Sequence, residues 1–225
     1  MFDTDPNGGF DQARRAMVRD QLARRRIRDP NVLRVMGEVP RERFVPEALR
    51  DAAYEDRALP VGEDQTISQP YIVAYMTEKL EVRPGLHVLE VGTGTGYQAA
   101  VLARLGAQVD SVERIAVLHG AARRRLEALG LTNVRLHCGD GSLGWPPHAP
   151  YDRILVTAGA PDVPPALLDQ LREGGRLILP VGRSDAQTLV CVEKHAGRTR
   201  EIVLLACRFV KLVGREGWDP PAGSA

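Results

Sequence analysis

One run constrains the fold of this chain more than any other: Val88-Leu89-Glu90-Val91-Gly92-Thr93-Gly94-Thr95-Gly96, with a helical pattern over Tyr97 to Leu105 behind it. Leu86 to Val91 reads as a short buried strand. The glycines let the backbone turn sharply and lie close to a ligand, and the helix that follows opens with free N–H groups. Such a corner belongs to an α/β sheet, and the downstream sequence keeps its rhythm. Gln108 to Glu113, Val134 to Cys138, Tyr151 to Thr157 and Arg176 to Pro180 read as strands, and Ile115 to Leu129 and Pro164 to Arg172 as helices. This alternation predicts a doubly wound, mostly parallel sheet of Rossmann-like type. Thr188 to Glu193 and Glu201 to Leu212 have no helix between them. They complete seven strands and are expected to pair antiparallel through the turn at His195 to Arg198.

The first 80 residues have a different texture. Asp11 to Arg28, Pro30 to Gly37 and Pro70 to Leu80 read as helices, and Val39 to Val45 is turn-rich. The expected organisation is an N-terminal helical segment, 1–80, packed on the main domain and carrying the stretch Thr66 to Pro70. A ligand-binding domain, 81–225, follows, and Gly217 to Ala225 reads as a loose tail. The arginines of the first helix are interleaved with Asp11, Asp20 and Asp29 and with no aromatic, so they read as a solvated face. A net charge of +1 and 5% aromatic residues argue against nucleic acid as a partner. No apolar run approaches the roughly 18 residues of a membrane span, and the polar, acidic start is unlike a secretory signal. Cys138, Cys191 and Cys207 are widely spaced. They read as core filler in a reduced, cytoplasmic protein. The five histidines show no metal-ligand spacing, so no metal is expected, and the chain is expected to be a monomer.

The glycine loop is G-x-G-x-G, with Tyr97 where a dinucleotide fingerprint has its last glycine. Glu113 ends the second strand, 21 residues after Gly92, where a carboxylate would accept bonds from ribose hydroxyls. Asp140 and Gly141 follow the third strand, where an adenine would lie, and Glu90 is a further acid beside the loop. Acids here repel a pyrophosphate and suit a cation. Together they point to S-adenosylmethionine, leaving S-adenosylhomocysteine as product. Gly92, Thr93, Gly94, Gly96 and Thr157 complete the expected cofactor set. Taken singly, Glu113 also fits a surface acid and Asp140 a turn former. No general base stands out near these loops, which fits an acceptor that is already ionised. A carboxylate, with a pKa near 4, is such an acceptor.

Several stretches then resemble one family. Gln65-Thr66-Ile67-Ser68-Gln69-Pro70-Tyr71, the run Val88 to Ala103, Val112-Glu113-Arg114-Ile115, Gly139-Asp140-Gly141, Ala149 to Thr157 and Arg208-Phe209-Val210 look like the protein-L-isoaspartate O-methyltransferases. The likeness runs from about Met17 to Gly214. It implies methylation of the α-carboxylate of L-isoaspartyl and D-aspartyl residues in damaged proteins and peptides, which starts their repair through a succinimide. It implies that Ser68 contacts the acceptor carboxylate, flanked by Thr66, Ile67 and Gln69, and that Phe209 and Val210 form another wall of a peptide groove. Without the resemblance, Ser68 fits equally well as the N-cap of the helix at Pro70. Asp64 and Lys211 depart from the family pattern, where glycine and proline are usual, and bear on acceptor choice. A relative dedicated to one peptide carboxylate, and a catalytically silent cofactor-binding protein, are the competing readings.

Overall fold

The computed structural model describes residues 8–219. Its centre is a seven-stranded sheet built from β3 (His87–Val91), β4 (Gln108–Glu113), β5 (Val134–Cys138), β6 (Tyr151–Val156), β7 (Leu171–Arg183), β8 (Ala186–His195) and β9 (Arg198–Cys207). The strand order is β5-β4-β3-β6-β7-β8-β9. Neighbours are parallel from β5 through β7, and β8 pairs antiparallel with both β7 and β9. His195 sits opposite Arg198, the expected turn. A separate hairpin precedes the sheet, β1 (Leu59–Gly62) with β2 (Gln65–Ile67).

The helices are α1 (Gly8–Ala16), α2 (Pro30–Glu38), α3 (Pro70–Leu80), α4 (Tyr97–Arg104), α5 (Ala116–Ala128) and α6 (Pro165–Gln170). The Asp29 carboxylate caps α2 by accepting from the N–H groups of Asn31 (2.8 Å) and Val32 (3.3 Å), and Pro30 follows at the first turn. The expected helix from Asp11 to Arg28 is not uniform. It passes from α1 through a π-helical turn, Met17–Leu22, and a 3-10 turn, Ala23–Arg25. Two of its arginines reach partners beyond the segment: Arg14 bonds Tyr54 and Glu42, and Arg25 pairs with Asp56 and lies 3.6 Å over the Tyr71 ring.

Met17, Leu22, Val35, Met36 and Phe44 pack with Tyr97, Ala99 and Ala100 in one core. The pleat of β3 sends Val88 into a second cluster and Leu89 and Val91 into a third. Three expectations are corrected. Leu171 and Arg172 belong to β7, because Leu171 pairs with Tyr151. The last strand stops at Cys207. The expected loose tail begins with two anchored residues, since Gly217 N donates to Gly214 O and the Trp218 indole donates to Gly159 O at 2.9 Å; residues 220–225 lie outside the described residues. Cys138 is exposed, Cys191 buried and Cys207 half-buried.

Candidate active site

The chain leaves β3 toward β4 and β5 on one side and returns to β6 on the other, so the strand order reverses at β3. Open α/β sheets bind ligands at the carboxyl ends of strands at such a switch point. A cavity of about 450 Å³ lies there.

The glycine corner forms one side of it. Gly92 has φ +94°, and a Cβ there would stand 2.4 Å from Thr157 Oγ1. Only glycine fits: the Thr157 hydroxyl donates to Gly92 O at 2.6 Å and ties β6 to the loop. Gly94 lies at φ +53°, and its N–H donates to Glu113 Oε2 at 2.8 Å, while Glu113 Oε1 accepts from Ile115 N at 2.9 Å. Glu113 thus shapes the loop as well as facing the cavity. Gly141 lines the cavity too, where an added Cβ would come within 2.6 Å of Val91 Cγ1.

Glu90, Gly96 and Asp140 do not line it. Glu90 is fully buried. Burial, and to a lesser degree the nearby Glu113, pushes its pKa up to about 8 against the opposing hydrogen bond from Ser111. Ser111 in turn shares a 2.6 Å bond with Thr93 Oγ1. Among the described residues Glu90 Oε1 has no hydrogen-bond partner. Gly96, at φ +90°, packs against Ala122 and Leu126 of α5. Both carboxylate oxygens of Asp140 are taken, Oδ1 by Ser142 N (2.9 Å) and Ser142 Oγ (2.7 Å), Oδ2 by Arg215 N (2.8 Å).

A second cavity, about 380 Å³, is lined by Asp56, Arg57, Ile72, Gln69, Arg208 and Phe209 among others. Four residues line both cavities: Thr66, Ser68, Thr157 and Val210. Ile67 lines only the first. Asp64 and Lys211 both reach the first cavity, and Lys211 Nζ lies 5.6 Å over the Trp218 ring.

Ser68 is not a helix cap. Gln69 holds the N-cap position of α3, with no side-chain cap bond, and its amide donates to Asp56 instead. Ser68 is held from behind by Arg41, which sequence reasoning missed. Arg41 is wholly buried and donates to Ser68 O (2.8 Å) and Ala53 O (2.7 Å), with its guanidinium 4.9 Å over the Tyr97 ring. No carboxylate among the described residues pairs with it, Nη1 has no partner, and burial lowers its pKa. Nothing in the sequence around Arg41 distinguishes it from the exposed arginines nearby.

Sequence reasoning also missed a polar cluster away from the cavity. The Asp110 carboxylate, 0% exposed, accepts from His87 Nε2 (2.6 Å), His137 Nε2 (2.7 Å), His148 Nδ1 (2.8 Å) and both Arg135 Nε (3.0 Å) and Nη2 (2.8 Å). Trp145 stacks on His137 at 4.1 Å. The pairing of Asp110 with Arg135 across β4 and β5 creates this meeting, and spacing along the chain does not reveal it.

A glycine corner at the switch point, rimmed by acid and opening beside a second groove, defines an S-adenosylmethionine-dependent methyltransferase. A family model described as protein-L-isoaspartate(D-aspartate) O-methyltransferase matches residues 12–217. The chain belongs to that family. A protein-L-isoaspartate O-methyltransferase of Desulfosudis oleivorans is 53% identical over 91% of this chain and 93% of its own length. One from Methanoculleus marisnigri is 52% identical over 92% and 94%. A solved protein-L-isoaspartate O-methyltransferase superposes with a TM-score of 0.80 at 35% identity, covering 90% of this chain and 67% of that one. A Plasmodium falciparum structure described as of this kind, in complex with S-adenosyl-L-homocysteine, gives 0.79 at 25% identity, over 89% and 98%.

The residues present fit that cofactor. Bare backbone faces the cavity at Gly92, Gly94 and Gly141, and carboxylates of Glu63, Asp64 and Glu113 outnumber the cations of Arg114 and Lys211. This balance suits a sulfonium and an amino group better than a pyrophosphate.

Proposed function

We propose that this chain methylates the α-carboxylate of L-isoaspartyl and D-aspartyl residues in damaged proteins and peptides, with Ser68 as the residue that meets the acceptor. The observation that carries this reading is the shared wall: Ser68 borders both the cavity with the glycine corner and the groove beside it. On this reading Gly92, Thr93, Gly94, Glu113, Gly141 and Thr157 hold S-adenosylmethionine. Glu90, Gly96 and Asp140 act from behind, by fixing the loops. When bound, the cofactor supplies an electrophilic methyl group on a sulfonium.

The chain's own work is alignment and exclusion of water. An acceptor carboxylate is ionised at neutral pH, so no protein base has to take a proton. The Ser68 hydroxyl donates to one carboxylate oxygen and aims the other, and Arg41 keeps the Ser68 backbone in place. Positioning of this kind supplies roughly 7–11 kcal/mol of a barrier. Thr66, Ile67, Gln69, Phe209 and Val210 form the walls for peptide, and we assign to the N-terminal segment 1–80 the substrate-side stretch Thr66 to Pro70, with the methyltransferase domain 81–225 supplying the rest. No helix among the described residues is long and apolar enough to cross a membrane. The widely spaced cysteines support a reduced, cytoplasmic setting, and we take the acting form to be a monomer.

The test uses labelled S-adenosylmethionine and matched peptides that differ only in aspartate or isoaspartate. Base-labile label on the isoaspartyl peptide alone is the expected result. Label on neither peptide would overturn the reading. Ser68→Ala with undiminished turnover would remove Ser68 from the proposed role while leaving the family activity intact.

A further inference from the structure

We propose that Asp110, His137 and His148 form a binding site for a borderline divalent metal ion of the zinc class, apart from the methyl-transfer cavity. The carboxylate and imidazole ligand atoms of these three residues already lie within 4.8 Å of one another. His137 comes from β5, Asp110 from the middle of β4, and His148 from the short turn Pro146–His148.

The Asp110 carboxylate is crowded with nitrogen atoms, and most of all on one side. One sp² oxygen offers two lone pairs, yet Asp110 Oδ1 receives three donors: His137 Nε2, His148 Nδ1 and Arg135 Nε. Two imidazole nitrogens therefore converge on one buried oxygen. With each imidazole carrying its proton on the other ring nitrogen, both lone pairs point toward Oδ1, and an ion would settle among the three atoms. In a tetrahedral set, metal bonds of roughly 2.0–2.2 Å place neighbouring ligand atoms roughly 3.3–3.6 Å apart. The two nitrogens, 2.7 and 2.8 Å from Oδ1, would move away from it by about 0.5–0.9 Å.

Neighbouring groups support the site. His87 Nε2 holds the other oxygen, Oδ2, at 2.6 Å and so aims Oδ1 at the two imidazoles, the role of a supporting shell around a metal. Trp145, stacked on His137, fixes that ring. Imidazole nitrogen with a single carboxylate favours zinc, cobalt or nickel over calcium or magnesium, which take oxygen sets. Arg135 is the competitor, since its guanidinium sits on the same carboxylate. Its side chain is 53% exposed, so it can swing into water when an ion arrives.

The place of the site gives it a consequence. His137 and His148 bracket the turn that carries Gly141, so an ion would clamp that turn between β5 and the Pro146–His148 segment. None of the three ligands lines the cavity, and methyl transfer by metal-free protein serves as the control for folding.

The test is titration of chelator-treated protein with Co²⁺, followed by visible d–d absorption and by Trp145 fluorescence, with Zn²⁺ in competition. The expected result is saturable one-to-one binding, with quenching that Trp145→Phe removes while the absorption band stays. His148→Ala and His137→Asn should each weaken binding at least tenfold, and Arg135→Gln should tighten it. Saturation that is absent in the wild-type protein at millimolar Co²⁺, or that is unchanged in the His137→Asn, His148→Ala double variant, would overturn the proposal. Both variants should keep methyl transfer, which separates this outcome from a failure of the proposed activity.

Discussion

Glu90→Gln should make the protein more stable, and the gain should grow with pH. Glu90 is fully enclosed, one oxygen lacks a partner among the described residues, and its pKa rises from 4.5 to about 8, chiefly through burial. An acid whose pKa is raised on folding behaves opposite to a salt-bridged one. Below the unfolded value of 4.5 both states are protonated and nothing is lost. Between 4.5 and about 8 the unfolded state releases a proton that the folded state keeps, so stability falls as pH rises. Above about 8 both states are ionised and the loss is constant. At 1.36 kcal/mol per pH unit the loss is about 3 kcal/mol at pH 7 and about 5 kcal/mol at pH 9. Glutamine keeps the shape and an acceptor for Ser111 and removes the charge. Denaturant melts of both proteins at pH 5, 7 and 9, read by linear extrapolation, should diverge by about 4 kcal/mol across that range. All other titrating groups are shared and cancel in the difference. Parallel pH profiles would mean that Glu90 is ionised in the folded protein at neutral pH, and the reasoning would fail.

Other outcomes follow from the same geometry. Gly141→Ala places a methyl group 2.6 Å from Val91 Cγ1; it should cost about 1–3 kcal/mol in stability by overpacking and weaken S-adenosylmethionine binding at least tenfold by calorimetry. Arg41→Met strips the donors from the carbonyls of Ala53 and Ser68, at about 1–3 kcal/mol each. It should lower kcat more than it raises KM for the cofactor, in steady-state assays. Burial alone would raise the Asp110 pKa, but the bonds from His137, His87, His148 and Arg135 outweigh it and hold the group at about 2. Its stabilisation is therefore present above pH 4 and lost as pH falls toward 2. Asp110→Asn should remove about 2 kcal/mol of that acid-dependent slope in melts at pH 5, 3 and 2.

Much of the fold could be read in the sequence where a local pattern decides it. α3, β4 and β5 begin and end where apolar periodicity and flanking residues place them, because each is bounded by a turn former or a proline. The β1–β2 hairpin was not legible. Pro60 interrupts its first strand, and its turn puts two non-glycine residues, Glu63 and Asp64, at φ +53°. The start of β7 was hidden because Leu171 follows α6 directly and finds its strand partner only in Tyr151. At the site, glycine positions were readable because each demands a backbone shape. Arg41 and the Asp110 cluster were not, because they depend on register between strands and on turns distant in sequence.

The two cavities share Thr66, Ser68, Thr157 and Val210 and otherwise draw on different residues. On the proposed reading the donor side is shaped largely by the carboxyl ends of β3, β4 and β6, and much of the acceptor side by Asp56 to Ala58 and by Ala206 to Phe209. Substrate preference can therefore drift in evolution, or be redesigned at the bench, by exchanging those two peripheral strips while the chemistry of the donor is inherited unchanged.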